Sequence, residues 1–111
     1  MPSLKITNGT WEELQQAAKM IREQVFIQEQ NIAAEDEWDV QDEIAVHFVV
    51  YEQDQAIATA RLLQNHSIGR VAVLKSHRGL GVGKVLMQAV IAYAQQQQRL
   101  FLVLSSQVHA Q

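Results

Sequence analysis

The chain has no cysteine, a single proline and five glycines among its 111 residues. Without cysteine it forms no disulfide and carries no thiolate, which suits a reducing compartment, so we expect a cytoplasmic protein. It also lacks a secretory signal and any apolar run near the roughly 20 residues that span a bilayer, so we expect no membrane partner. At this length we expect a single domain, residues 1–111.

Acidic residues are missing from the second half of the chain. Residues 1–54 hold all 12 of them and three basic residues, whereas residues 55–111 hold six basic residues, so the halves carry net charges of −9 and +6. The basic half favours an anionic ligand. We expect no nucleic-acid partner, because the whole chain has a net charge of −3 and its basic residues do not interleave with aromatic ones.

Three of the five glycines (Gly79, Gly81 and Gly83) lie within the seven residues Arg78–Lys84. A strand is predicted before this segment and a helix after it. Glycine adopts positive φ without a steric cost, and the start of a helix offers unpaired N–H groups with partial positive charge. The segment therefore predicts a loop that binds a phosphate or pyrophosphate.

Two common phosphate-binding motifs do not fit this loop. A Walker loop needs a serine or threonine after Gly83-Lys84 and a glycine five positions before Gly83, but the chain has Val85 and Arg78 there. A dinucleotide fingerprint needs the spacing G-x-G-x-x-G and an acidic residue about 20 positions later. Here the spacing is G-x-G-x-G and no acidic residue follows, so both motifs are rejected.

Hydrophobic patterning predicts five strands and two helices. A capping box, Thr10 to Glu13, starts the first helix, and a polar, acidic loop with a short helix precedes the second strand. The continuous apolar run at the end predicts a strand buried on both faces, which completes a β-α-β unit at residues 68–104. The predicted strands are 4–7, 44–51, 56–63, 68–73 and 100–104, the helices end near Gln28 and Gln98, and the acidic loop is 31–43.

The glycine loop also fits the pattern [RQ]-x-x-G-x-[GA] between a strand and a helix. In this it resembles the acyl-coenzyme A signature of the GNAT N-acetyltransferase superfamily. Four further stretches resemble the ElaA-like branch of that superfamily, in order along the chain. They are Ile21–Gln30 (R-x-x-V-F-x-x-E-Q), Asp39–His47 (D-x-x-D-x-x-A-x-H), Thr59–Leu62 (A-T-x-R-L) and Ile68–Val73 (I-G-R-V-A-V).

The resemblance implies an α/β (α+β) fold, with a mixed, mostly antiparallel sheet flanked by helices and acetyl-coenzyme A between two splayed parallel strands. It implies acetyl-CoA-dependent transfer of an acetyl group directly to a primary amine of a small molecule or peptide, without a metal. The backbone of Val71 and Val73 would bind the pantetheine amides, and the N–H groups from Arg78 to Lys84 would hold the pyrophosphate. The implied cofactor-binding residues are Val71, Ala72, Val73, Arg78, Gly79, Leu80, Gly81, Val82, Gly83 and Lys84.

The chain departs from the family in its length. Members usually continue through another helix and two more strands, and that helix commonly brings a tyrosine near the coenzyme thiol as general acid. This sequence ends at Gln111. The domain would then be truncated after its fifth strand. Two alternatives follow: a non-catalytic or truncated coenzyme A-binding module, and a homodimer in which a second copy covers the exposed C-terminal strand.

The sequence does not identify which residue acts as the general base. Strand 68–73 carries no carboxylate, so the candidates are Glu29, His47 and the acidic residues between positions 35 and 43. His47 is an equally good candidate for a packing residue on its strand. An acidic loop beside the acceptor cleft would favour a cationic amine. Arg61 is expected to pair with that loop.

Overall fold

The computed structural model describes residues 4–33 and 38–104, which form a five-stranded sheet in the order β1-β2-β3-β4-β5. The first four strands pair antiparallel with their neighbours, and β4 and β5 are parallel. The mixed, mostly antiparallel sheet of the sequence analysis is therefore confirmed. The strands are β1 (Leu4–Gly9), β2 (Val46–Glu52), β3 (Gln55–Leu62), β4 (Ser67–Val73) and β5 (Val103–Leu104).

Helix α1 (Trp11–Arg22) begins at the predicted capping box. The Thr10 N–H donates to Glu13 Oε1 over 2.9 Å, and the Glu13 N–H donates to Thr10 Oγ1 over 3.3 Å. These bonds satisfy two N–H groups that the first turn leaves free. The helix continues as a π-helical segment, Glu23–Glu29, so the predicted end near Gln28 is confirmed.

Helix α2 (Val82–Gln96) connects β4 to β5 and lies on the opposite face of the sheet from α1. Adjacent residues of a strand point to opposite faces. His47 of β2 stacks on Trp11 of α1 at 4.7 Å, whereas the next residue, Phe48, meets Tyr93 of α2 edge-to-face at 5.5 Å. The β-α-β unit is thus confirmed, and each face of the sheet has its own helix.

The last strand differs from its prediction. It pairs with β4 only at Ser67–Val103 and Ile68–Leu104, and the apolar run that contains it is mostly exposed. The predicted strand 100–104, buried on both faces, is wrong in length and in burial, because within the described residues only β4 lies beside it. The exposed fractions are 94% for Leu100, 58% for Phe101, 48% for Val103 and 66% for Leu104.

Part of the acidic loop lies outside the described residues, namely positions 34–37. The described part contains the predicted short helix, a 3₁₀ turn at Val40–Glu43 that Asp39 caps by accepting from the Gln41 N–H over 3.1 Å. None of the helices in the described ranges is long and apolar enough to cross a membrane.

Candidate functional site

The glycine loop runs from a 3₁₀ turn, Lys75–His77, to the start of α2. Gly79 and Gly81 have φ of 78° and 84°, which residues with a side chain rarely adopt. A Cβ at either position would meet no atom within 4 Å, so both glycines border open space. Gly81 is the N-cap of α2, and no side chain caps the helix, so no side-chain oxygen accepts from its first N–H groups.

Three basic residues lie close to this helix start in the sequence. Lys75, Arg78 and Lys84 are exposed, and no acidic residue follows Asp54 in the sequence. Gly83 packs on the end of β4, where a Cβ would lie 3.9 Å from Val73 Cγ2. The arrangement can bind an anion through backbone N–H groups and through charge. No group of three or more metal-ligating side chains occurs among the described residues.

The backbone of β4 is open on the side away from β3 near this loop. The Leu74 N–H donates to Ile57 O of β3 over 2.9 Å. Because backbone groups alternate along a strand, those of Val73 and Val71 point the other way. In the described part of the chain, β5 pairs with β4 only at Ser67 and Ile68, so no ladder bond from β5 reaches these two valines.

Arg78 links this open edge to the end of the π-helical segment. Its Nε donates to Val73 O over 2.9 Å, and its Nη2 donates to Glu29 Oε1 over 2.5 Å. Glu29, predicted from the sequence as a catalytic candidate, therefore lies at the glycine loop. Both side chains keep solvent contact, with exposed fractions of 44% for Arg78 and 30% for Glu29.

His47, the second catalytic candidate, lies elsewhere. It pairs with Arg61 of β3, three residues from Ala58, which lies opposite the loop end of β4 at Val73. At about 3.3 Å per residue, His47 is about 10 Å along the strands from that end. The residue is 1% exposed, and its Nε2 donates to the carbonyl oxygen of Asp42 over 2.8 Å. Burial lowers the pKa of His47 and favours the neutral ring.

A buried network of charges holds the sheet to α1. Arg22 donates to both carboxylate oxygens of Asp42, over 2.8 and 3.2 Å. Arg61 donates to Asp42 over 2.9 Å and to both oxygens of Asp39, over 2.8 and 3.1 Å. Arg70 donates to Asp39 over 3.3 Å. We call Arg22, Asp39, Asp42, Arg61 and Arg70 the arginine–aspartate network.

The network confirms the predicted pairing of Arg61 with the acidic loop. The hydrogen bonds from Arg61 hold the pKa of the Asp39 carboxyl below its usual value. Burial by itself would lower the pKa of Arg61, but the bonds to Asp39 and Asp42 outweigh it and raise that pKa. Sequence reasoning missed the part of Arg22, which is 1% exposed and lies 4.9 Å from the Trp38 ring. The spacing of Asp39, Asp42 and His47 in the sequence was the signal that could have indicated the arginine–aspartate network.

A match to a family profile accompanies this geometry. Residues 10–111 match the family described as "Acetyltransferase (GNAT) family". The chain belongs to this acetyltransferase family. Among curated proteins, the GNAT chain is 39% identical over 82 residues to the "Uncharacterized N-acetyltransferase YjcF" of Bacillus subtilis (strain 168), which covers 71% of the chain and 59% of YjcF.

Two solved structures share the GNAT fold over nearly the whole chain. Escherichia coli ElaA superposes with a TM-score of 0.82 at 27% identity, covering 96% of this chain and 80% of ElaA. An acyl-CoA N-acyltransferase from Pseudomonas aeruginosa superposes with a TM-score of 0.82 at 29% identity, covering 96% of this chain and 82% of the other. The resemblance to the ElaA-like branch is thereby confirmed. The GNAT chain spans only 52–59% of the length of three curated relatives that it matches.

His77 is better connected in this GNAT domain than its sequence position indicates. It directly precedes the glycine loop. Its Nε2 lies 2.9 Å from Glu52 Oε1 and its Nδ1 lies 2.8 Å from Ser76 Oγ, with 14% of the side chain exposed. The contact between His77 and Glu52 joins the loop to the end of β2. No local sequence pattern predicts a pairing of residues that are 25 positions apart.

Proposed function

We propose that the chain carries out acetyl-CoA-dependent N-acetylation of a primary amine, on a small molecule or a peptide, by direct transfer. The observation that carries the proposal is the start of α2, without a side-chain cap, behind two glycines with positive φ, beside the edge of β4 that β5 does not pair with at Val71 and Val73. An anionic group and an adjoining chain of amides fit this arrangement. The name of the Pseudomonas neighbour, an acyl-CoA N-acyltransferase, supports the same cofactor class.

The residues present fit the coenzyme in two places. The N–H groups from Arg78 to Lys84 would hold the pyrophosphate, and the outward backbone groups of Val71 and Val73 would bind the pantetheine amides. When bound, the coenzyme supplies the acetyl thioester. With the phosphates at the loop, the thioester end would point along β4 toward Arg70. Fixing the coenzyme at both places would orient that end before the amine arrives.

Direct transfer needs a neutral amine and a group that accepts the ammonium proton. Of the candidate bases, Glu29 lies at the loop, His47 is buried, and Asp39 and Asp42 of the acidic loop are bound to arginines. Glu29 is bound to Arg78 at the phosphate end of the groove, so its action as a base would need that pair to open and a chain of waters to carry the proton from the thioester end. The catalytic roles of Glu29 and His47 stay predictions, as do the cytoplasmic location and the homodimer.

A second candidate function is a coenzyme A-binding module without catalysis. It is favoured because β4 carries no carboxylate, Glu29 is bound to Arg78, and His47 is buried. This module would bind the coenzyme through the same backbone groups. The two functions differ only in turnover.

The test is a titration of the ¹⁵N-labelled chain with acetyl-CoA, followed by an acetyl-transfer assay on a panel of amines. The expected result is a set of amide shifts at 71–73 and 78–84 together with release of free thiol in the presence of an amine. Shifts without thiol release would favour the binding module. The absence of shifts in a folded chain at millimolar ligand would overturn both functions.

A further inference from the structure

β4 contains one more residue than the stretch of β3 that it faces. The Leu74 N–H bonds to Ile57 O, and the Leu63 N–H bonds to Ser67 O. The chain thus takes six steps along β3, from 57 to 63, and seven along β4, from 67 to 74. The register places the extra residue between Ala72, opposite Thr59, and Gly69, opposite Arg61. This is a β-bulge at Arg70–Val71.

The bulge determines whether each backbone group of β4 points toward β3 or toward the opposite edge. Before it, Ser67 bonds to β3, while His66 O accepts from the Val103 N–H of β5 over 2.9 Å. After it, the alternation is shifted by one, so that Ala72 and Leu74 face β3 while Val71 and Val73 face the open edge. If the bulge moved, these two valines would turn toward β3.

Arg70 adopts the unfavourable backbone conformation that this bulge requires. Its φ is 50°, in the left-handed region that a residue with a Cβ avoids. Such a conformation persists only where the surroundings fix it. The guanidinium of Arg70 donates to Asp39 Oδ2, with 16% of the Arg70 side chain exposed. Asp39 is in turn held by the fork of Arg61, whose side chain is 6% exposed.

We propose that Asp39 is a positioning residue, which holds Arg70 in its left-handed conformation and thereby directs the backbone of Val71 and Val73 to the open edge. The inference rests on the proposed function for what binds at that edge. Its structural part, the effect of Asp39 on the bulge, is independent of any ligand. Asp39 touches neither the loop nor the reacting atoms in this account. It acts through Arg70.

The test compares two substitutions that both remove the Arg70 guanidinium. Arg70→Ala keeps a Cβ and so keeps the cost of positive φ, whereas Arg70→Gly removes that cost. We expect R70A to bind coenzyme A about tenfold more weakly than R70G, which corresponds to about 1.4 kcal/mol. D39N should weaken binding like R70A, and R70G should restore binding in the D39N background.

The affinity, the melting temperature and the hydrogen exchange of these variants distinguish a positioning role of Asp39 from a purely stabilising one. Because Asp39 also binds Arg61, the D39N/R70G chain should regain affinity without regaining the lost melting temperature. Hydrogen exchange without ligand should show the Leu74 amide protected in the parent chain and in R70G, and less protected in R70A and D39N.

Equal affinity and equal Leu74 protection in R70A and R70G would overturn the inference. So would a D39N defect that R70G leaves unchanged. If the parent chain binds no coenzyme A, the proposed function fails, and the exchange of the Leu74 amide still decides whether Asp39 holds the bulge.

Discussion

Arg78 and Glu29 form an ion pair that joins the glycine loop to the end of the first helical segment, across 49 residues of sequence. The same guanidinium donates to Val73 O, one of the backbone groups assigned to pantetheine. A ligand amide that bonds to this carbonyl competes with Arg78 for it. Because the pair is partly exposed, its contribution is at most about 1 kcal/mol, so displacement is feasible.

Glu29→Gln should strengthen coenzyme A binding by up to about fivefold, because it weakens the hold on Arg78 without changing the size of the side chain. The turnover number should fall by less than tenfold. Calorimetry and steady-state rates measure the two effects. Glu23→Gln, a charge change in the same π-helical segment, is the matched control. A loss of turnover of about a hundredfold or more in E29Q would instead identify Glu29 as the base.

Gly81→Ala should destabilise the fold by about 1–2 kcal/mol, because Gly81 has a φ of 84° and alanine pays the full cost of the left-handed conformation. Gly83 is the matched position. It lies in the first turn of α2 without positive φ, and a Cβ there meets Val73 at an ordinary 3.9 Å. Urea denaturation should therefore show Gly83→Ala at or above the stability of the parent chain. Equal losses in both variants would argue against the left-handed turn at Gly81.

Asp42→Asn should cost about 3–5 kcal/mol, because it leaves Arg22 and Arg61 buried without the carboxylate that both bind. The midpoint of urea denaturation reports this loss. Asp54→Asn, in the exposed turn between β2 and β3, makes the same chemical change and should stay within about 0.5 kcal/mol of the parent. A D42N chain as stable as D54N would show that the arginine–aspartate network does not support the fold.

His47 should make the stability of the chain depend on pH in the mildly acidic range. Burial lowers its folded-state pKa below the unfolded value of 6.5, so the unfolded chain binds more protons between these two values. The contribution of His47 is complete above pH 6.5 and declines as the pH falls from there toward the folded-state pKa. His47→Gln, which keeps a donor for Asp42 O, should flatten the profile just below pH 6.5. Parallel profiles for both chains would contradict the burial of a neutral ring.

The architecture was largely readable from the sequence because local signals agreed with the global fold. The capping box at Thr10, the glycines at the start of α2 and the apolar periodicity of both helices each depend on nearby residues. The apolar run Leu100–Leu104 misled the prediction, because burial depends on what lies beside a strand rather than on its own composition. The pattern of apolar residues along the strand does not show which elements lie beside it.

The site was readable only in part. The glycine loop is a local pattern, so Gly79 and Gly81 could be identified from spacing. The pairing of Arg78 with Glu29, and the bulge at Arg70, depend on the register between distant strands and helices, which no local pattern specifies. His47 was a reasonable candidate by chemistry, but its position three residue pairs from the loop end of the sheet follows from strand register.

The uneven distribution of charge along the chain has a consequence for how the molecule comes together. Four basic residues that follow position 54 pair with acidic residues that precede position 54. They are Arg61, Arg70, His77 and Arg78. The exposed turn at Gln53–Asp54 separates the two sets. Cut there, the chain would yield fragments of net charge −9 and +6 that attract each other across the β2–β3 seam, and low salt would speed their reassembly.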